Sequence, residues 1–296
     1  MTLPIICTSE FLRTDAQTAC VASAIHFALE RLGIEHRELK NTNDYWIRDF
    51  MPVSILEEGV YSRYIYRPDY LWDYKSKRKY ITDQRNACGE LNLFAPTNMG
   101  IVFDGGNYVR CGDKVIMTDK VFMENANWSA QGLMSKLDEA LLTSKIILLP
   151  WDMKDPCGHA DGMVAYMGEG KLLLNNCWKK KDKAFHKRLL KLLEPHFEVV
   201  ELSYDCSDNE NSWCYLNYLR VPNGILLPCL SNNADCESDI AALNTFSNIF
   251  PDSEIIPIYS KPLIDNGGAL HCVTWEYYEC EDNLIPRFSI YQKEQP

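Results

Sequence analysis

Tyr108-Val109-Arg110-Cys111-Gly112-Asp113-Lys114-Val115-Ile116-Met117-Thr118 is the stretch that decides the fold. Its two halves, Tyr108–Arg110 and Val115–Thr118, have strand composition, and Cys111-Gly112-Asp113 between them has turn composition. The stretch therefore reads as a hairpin. The same figure recurs. Gly168-Glu169-Gly170 separates Met163–Met167 from Leu172–Asn175, and Pro222-Asn223-Gly224 separates Tyr218–Val221 from Ile225–Cys229. Glu57-Glu58-Gly59 follows the run Pro52–Leu56. The four turns centre on residues 58, 112, 169 and 223, at intervals of 54, 57 and 54. A fixed period of this length marks a repeat architecture.

Outward from the hairpins, three lead into helical patterns. Leu133, Leu137 and Leu141 share one helical face, as do Phe185, Leu189, Leu192 and Leu193, and then Ile240, Leu243 and Phe250. One more strand follows each helix: Lys145–Leu149, Phe197–Leu202 and Glu254–Ile258. The N-terminal region supplies Ile5–Thr8, a helix with Val21, Ile25, Leu29 and Leu32 on one face, and Ile34–Leu39. That is the tail of a unit whose first strand must come from the far end of the chain, near Asp265 and beyond. The prediction is an α/β fold, a five-bladed pseudo-symmetric α/β propeller built from ββαβ units. One domain is expected over residues 1–296, since no Pro/Gly/Ser-rich linker divides the chain. An open α/β sheet is the alternative. The copy around residues 60–100 is weakest, because a Tyr-rich stretch and Tyr74–Ala87 stand where an amphipathic helix belongs.

Composition narrows the function classes. The chain has 296 residues, 46% hydrophobic and 24% charged, which excludes disordered and fibrous classes. Thirty basic against 41 acidic residues give a net charge of −11, unfavourable for nucleic acid and favourable for cationic ligands. No apolar run reaches the ~18 residues of a membrane helix, and Met1–Thr8 lacks the basic stretch of a secretory signal. A cytoplasmic protein is expected, with no membrane and no nucleic-acid partner. Its oligomeric state is left open, homo-oligomers included. None of the twelve cysteines forms a C-x-x-C pair, so most read as buried free thiols and no metal is expected. Asp205–Asn209 resembles the start of a calcium loop, but Glu210 stands where that loop needs glycine.

The polar residues that could do chemistry gather where the units enter their hairpins. These segments are Asn43–Asp49, Phe103–Asn107, Gly158–Asp161 and Asp265–Cys272. Equivalent positions of a ring of repeats face one axis, which brings Asp49, Asp104, His159, Asp161 and Cys272 together. Trp46 and Gly268, within the same segments, are candidate pocket residues. A thiol, an imidazole and paired carboxylates suit attack on a planar cation. Carboxylates accept from the N–H edges of a guanidinium, and a thiol adds to its carbon. An imidazole protonates departing ammonia and then activates water. The reaction requires neither metal nor cofactor.

Asn43–Pro52, Asp104–Asn107, Gly158–Asp161 and Gly267–Thr274 together resemble the agmatine deiminase and bacterial peptidylarginine deiminase family, within the guanidino-group-modifying superfamily. The resemblance implies a five-bladed α/β propeller. It also implies Cys272 as nucleophile, His159 as general acid and base, and Asp49 and Asp161 as guanidinium clamp. Asp104 falls where the family usually has glutamate before Gly-Gly-Asn, and so supports the histidine or lines the pocket. Met51 replaces a glycine of the Arg-Asp-x-Gly-Pro motif, which is expected to make the wall near Asp49 bulkier.

A deiminase releasing ammonia is the leading expectation. Its rivals are an amidinotransferase and a guanidino-binding propeller without turnover. The partner is a small cationic guanidino substrate or peptidyl arginine. Agmatine ranks first, because Asp49, Asp161 and Asp104 would make the cavity negative, which favours a dication. Free arginine would need a partner for its α-carboxylate, and the only arginine in the motif segments, Arg48, as a strand neighbour of Asp49 faces the opposite way. Peptidyl arginine ranks second and free arginine last.

Overall fold

The computed structural model describes residues 3–56, 59–89, 91–202, 212–233 and 235–279. The turn residues Glu57 and Glu58 and the Asp205–Glu210 segment lie outside the described residues.

Among the described residues, fifteen strands form five three-stranded sheets. The first sheet holds β1 (Ile5–Ser9), β2 (His36–Leu39) and β15 (Trp275–Tyr277), and the second β3 (Val53–Leu56), β4 (Val60–Ile65) and β5 (Phe94–Val102). The third holds β6 (Val109–Cys111), β7 (Lys114–Thr118) and β8 (Lys145–Leu149). The fourth holds β9 (Val164–Gly168), β10 (Lys171–Asn175) and β11 (Glu198–Leu202). The fifth holds β12 (Leu219–Val221), β13 (Gly224–Cys229) and β14 (Glu254–Tyr259). In every sheet the middle strand pairs antiparallel to one neighbour and parallel to the other. This is the ββαβ unit: a tight turn joins the antiparallel pairs β6–β7, β9–β10 and β12–β13, and a crossover reaches the parallel strand. Five such units make a pseudo-symmetric α/β propeller. It closes where β15 pairs with β1, in the register Ile5 opposite Tyr277.

The crossover helices Ala19–Arg31, Ala130–Leu141, Lys183–Leu193 and Glu237–Ile249 fill the outer layer. Their apolar faces join cores shared between adjacent blades, one of them built on Ile6, Ile25, Leu29, Leu219 and Leu226. Leu133, Leu137 and Leu141 are buried as their spacing predicts. Helix Glu237–Ile249 differs from expectation. Ile240 is 42% exposed, and the buried face is Asp239, Ala242 and Phe246. Asp239 takes that face because its carboxylate accepts from Leu230 N, Ser231 N and the Tyr215 hydroxyl. In the weak copy, short helical turns at Asp69–Trp72, Arg78–Tyr80 and Gln84–Ala87 replace one long helix. Among the described residues no helix is long and apolar enough to cross a membrane.

Candidate active site

Each blade delivers one polar element on its approach to its first strand. Asp49 lies in the helical turn Ile47–Phe50 before β3, and Asp104 precedes the 3-10 turn Gly105–Asn107 before β6. His159 and Asp161 flank and enter the turn Ala160–Gly162 before β9. Asn217 follows the turn Ser212–Leu216 before β12, and Cys272 precedes β15. Asp49, His159, Asp161 and Cys272 converge, with Trp46 and Gly268, on one cavity of about 990 Å³. That is the upper end of the range for small-molecule sites.

The predicted cluster comes together, with corrections of detail. Arg48 and Asp49 are helical-turn neighbours, not strand neighbours. Arg48 leaves the cavity, its Nε donating to His271 O at 3.3 Å and its guanidinium lying 3.7 Å from Glu276. Met51 is fully buried in the apolar core, so it does not bulk out the cavity wall. Asp104 is 2% exposed and absent from the wall. It sits behind the imidazole, with Oδ2 3.0 Å from His159 Nε2. The other ring nitrogen, Nδ1, is 3.5 Å from Asp49 Oδ1.

These approaches demand small residues. A Cβ on Gly106 would stand 2.4 Å from His159 Nδ1 and 2.7 Å from Asp49 Oδ1. Gly268 is pressed against the indole of Trp46, where a Cβ would come within 2.2 Å of a ring carbon. The Tyr64 hydroxyl, 2.6 and 2.7 Å from the carbonyls of Asp49 and Met51, fixes the turn that presents Asp49.

Two features were not expected from the sequence. His271 Nδ1 is 2.7 Å from Asp161 Oδ2, and that oxygen is 3.8 Å from Cys272 Sγ. Asn217 Oδ1 accepts from Ala269 N and Cys272 N, both at 3.2 Å, so it holds the turn carrying the thiol. The repeat itself could have pointed to Asn217, which follows Asp161 by 56 residues and precedes Cys272 by 55. Lys77, Lys154 and Lys181 also line the cavity. They come from segments outside the motifs, so basic residues reach the cavity although Arg48, the one arginine of the motifs, leaves it.

The electrostatics follow from burial. Burial pulls His159 down, but Asp49 and the hydrogen bond to Asp104 outweigh it and raise the imidazole to about 10. Burial, helped by Asp104 and Asp161 and opposed by His159, pushes Asp49 up to about 8. Burial would also raise Asp161, yet its hydrogen bond to His271, with the charges of His271, His159 and Arg48, holds it below the usual range. Burial first, then Asp161 and Asp49, push the Cys272 thiol well above its ordinary value. The site therefore favours a charged imidazole and disfavours the ionised forms of the Cys272 thiol and of Asp49. Among the described residues no three His, Cys, Asp or Glu side chains are grouped to hold a metal ion.

Residues 5–277 match the Porphyromonas-type peptidyl-arginine deiminase family. A relative from Legionella pneumophila (strain Paris), agmatine deiminase-like by name, is 24% identical over 212 residues, 63% of this chain and 58% of that protein. The match thus spans less than two thirds of that relative. Agmatine deiminase of Pseudomonas putida (strain KT2440) is 21% identical over 300 residues, covering 83% of this chain and 77% of its own. The solved agmatine deiminase of Enterococcus faecalis has a TM-score of 0.68 at 16% identity, with 94% of this chain and 93% of that chain covered. At that identity the likeness shows the fold.

Proposed function

The chain belongs to the Porphyromonas-type peptidyl-arginine deiminase family, and from that premise we propose that it is a cysteine hydrolase of guanidino groups, with agmatine or a similar amine as substrate. The observation that carries the reading is the convergence of Cys272, His159, Asp49 and Asp161 on one cavity. Asp49 Oδ1 supports it further, being buried without a hydrogen-bond donor among the described residues. Two carboxyls beside a thiol are what a guanidinium requires: its N–H edges pair with Asp49 and Asp161, and its carbon faces the sulfur.

In the proposed mechanism, arrival of the cation ionises Asp49 and lowers the thiol pKa by direct charge attraction. Cys272 loses its thiol proton to solvent, and Sγ bonds to the guanidinium carbon. His159 gives its proton to one terminal nitrogen, which departs as ammonia, leaving an amidino group on sulfur. The now neutral imidazole takes a proton from water, whose oxygen adds to the same carbon. The C–S bond breaks, the thiol is restored and a ureido product leaves. Asp104 holds the imidazole in place through both half-reactions.

Carboxylates outnumber lysines on the cavity wall, with Asp15, Asp44, Asp152, Asp155 and Asp182 joining the clamp pair. That field supports the dication agmatine. Lys77, Lys154 and Lys181 and the volume of the cavity favour a second reading, peptidyl arginine, whose flanking carboxylates those lysines can meet. Purified protein is to be given agmatine, free arginine or an arginine-containing peptide, without an acceptor amine, and ammonia measured. The expected kcat/KM order is agmatine, peptide, arginine. Ammonia from none of the three overturns the reading. Transfer of the amidino group to an added amine, with the substrate's own amine released and no ammonia, points to an amidinotransferase, and ligand binding without product points to a binding module.

A further inference from the structure

Lys120 is a lysine with 1% exposure, in the first turn of the short helix Lys120–Glu124 directly after β7. Its Nζ donates to Pro156 O at 3.0 Å and Cys157 O at 2.9 Å, and pairs with Asp69 Oδ1 at 2.9 Å and Glu124 Oε1 at 3.4 Å. Thr118, two residues earlier, donates its hydroxyl to Gly158 O at 2.6 Å. Three successive carbonyls, those of residues 156, 157 and 158, are thus captured by two side chains from the end of one strand. The opposite polarity is met as well: Asp155 accepts from Cys157 N and Gly158 N at 2.9 and 3.0 Å. Gly158 takes φ +64°, and a Cβ there would stand 2.7 Å from the Lys120 stem and from the Trp151 indole nitrogen. The next residue in the chain is His159.

Filling a core does not explain this lysine. Burying an ammonium costs several kcal/mol before its partners compensate, and Leu or Met would occupy the space without that cost. Burial lowers the Lys120 pKa, but Glu124, Asp69 and Asp104 outweigh it, so the group stays charged. The same strand end also holds the other side of the imidazole. Thr118 N donates to Asn107 Oδ1 at 2.7 Å, anchoring the Gly105–Asn107 turn that follows Asp104. The groups facing His159 are Asp49, Asp104, Asp161, the Tyr70 ring edge-on at 6.1 Å and, farther off, Glu124.

We propose that Lys120 is a positioning residue of the candidate active site: by holding the carbonyls of Pro156 and Cys157 it sets the imidazole of His159 between Asp49 and Asp104. The role rests on His159 as acid and base in the proposed reaction, but its geometry can be tested without any substrate. The test is the titration of His159 by NMR on the ¹⁵N-histidine-labelled full chain, assigned with His159→Gln. In the unaltered protein the ring keeps its proton to about 10. In Lys120→Met the freed segment moves the ring from its carboxylates, and the titration is expected to fall by about one unit or more. On agmatine the same variant should lose about tenfold or more in kcat with KM within about twofold, since the clamp is untouched. An S-alkyl isothiourea, whose thiol leaves with little need of a proton, should release that thiol in a single turnover with a loss of less than about threefold. A folded Lys120→Met protein whose His159 titrates as before, or which loses both substrates equally, overturns the proposal. Should Lys120→Met not fold, Lys120→Gln decides by the same two outcomes. Failure of the unaltered protein to release ammonia counts against the proposed function alone, because the titration still reads the positioning.

Discussion

His271 Nδ1 and Asp161 Oδ2 are 2.7 Å apart, so the residue that precedes Cys272 in the chain holds the carboxylate nearest its sulfur. Burial favours the protonated form of Asp161, and the hydrogen bond with His271 is the largest influence opposing it. Taking His271 away leaves burial dominant and raises Asp161. Because only the ionised carboxylate clamps a guanidinium, the loss must be greatest at acid pH and must recover as pH rises. His271→Ala is expected to lower kcat/KM for agmatine about tenfold near neutrality, with the acid limb of its pH profile moved upward. A uniform loss across the profile would count against this role.

Asp49 should report the arrival of a cation by releasing a proton. It holds that proton up to about 8 in the free site, and a bound guanidinium favours the carboxylate. Affinity for an unreactive guanidine should therefore climb with pH, at most about tenfold per unit, and level off above 8. Calorimetry in buffers of different ionisation enthalpy is expected to show proton release at pH 7. An affinity unchanged from pH 6 to 9 would remove Asp49 from the clamp.

One thiol among twelve should carry the activity. Cys272→Ser is expected to reduce kcat by roughly 10⁴-fold or more, and dialysis against a chelator to leave turnover unchanged. The raised pKa of Cys272 means slow alkylation in the free protein. A small guanidinium that leaves the sulfur accessible should accelerate the alkylation, as read by mass spectrometry of the Cys272 peptide.

Gly106→Ala probes how tightly the imidazole is approached. The added Cβ would collide with His159 and Asp49 at 2.4 and 2.7 Å. Either the ring or the turn must give way. The expected result is destabilisation of about 1–3 kcal/mol by denaturant unfolding, with a fall in kcat larger than the rise in KM.

The ring was legible because the hairpin turns carry their own punctuation. Gly112, Gly168, Gly170 and Asn223 all adopt positive φ, a conformation that leaves a clear mark on composition. Helix Ala130–Leu141 was legible because Leu133, Leu137 and Leu141 bury only against apolar neighbours. The residues that escaped notice are those whose type points outward while their partners hold them inside. Lys120 and Asp239 read as surface charges until the acceptors and donors from distant segments are placed around them. His271 was overlooked beside its reactive neighbour, because its contact with Asp161 spans 110 residues. The second blade was obscure for another reason: three short helical turns do the work of one helix, and none is long enough to show a period.

The pairing of Ile5 with Tyr277 joins the two ends of the propeller. During synthesis β1 must wait, with that edge unpaired, until the other described strands of the ring have emerged, since its partner β15 follows them in the chain. Closing so long a loop is slow, and it is the same event that brings the Cys272 turn beside Asp161. Reactivity is therefore withheld from every partly made chain: four finished blades hold the acid, the base and the clamp, but acquire their nucleophile only at the moment the circle is sealed.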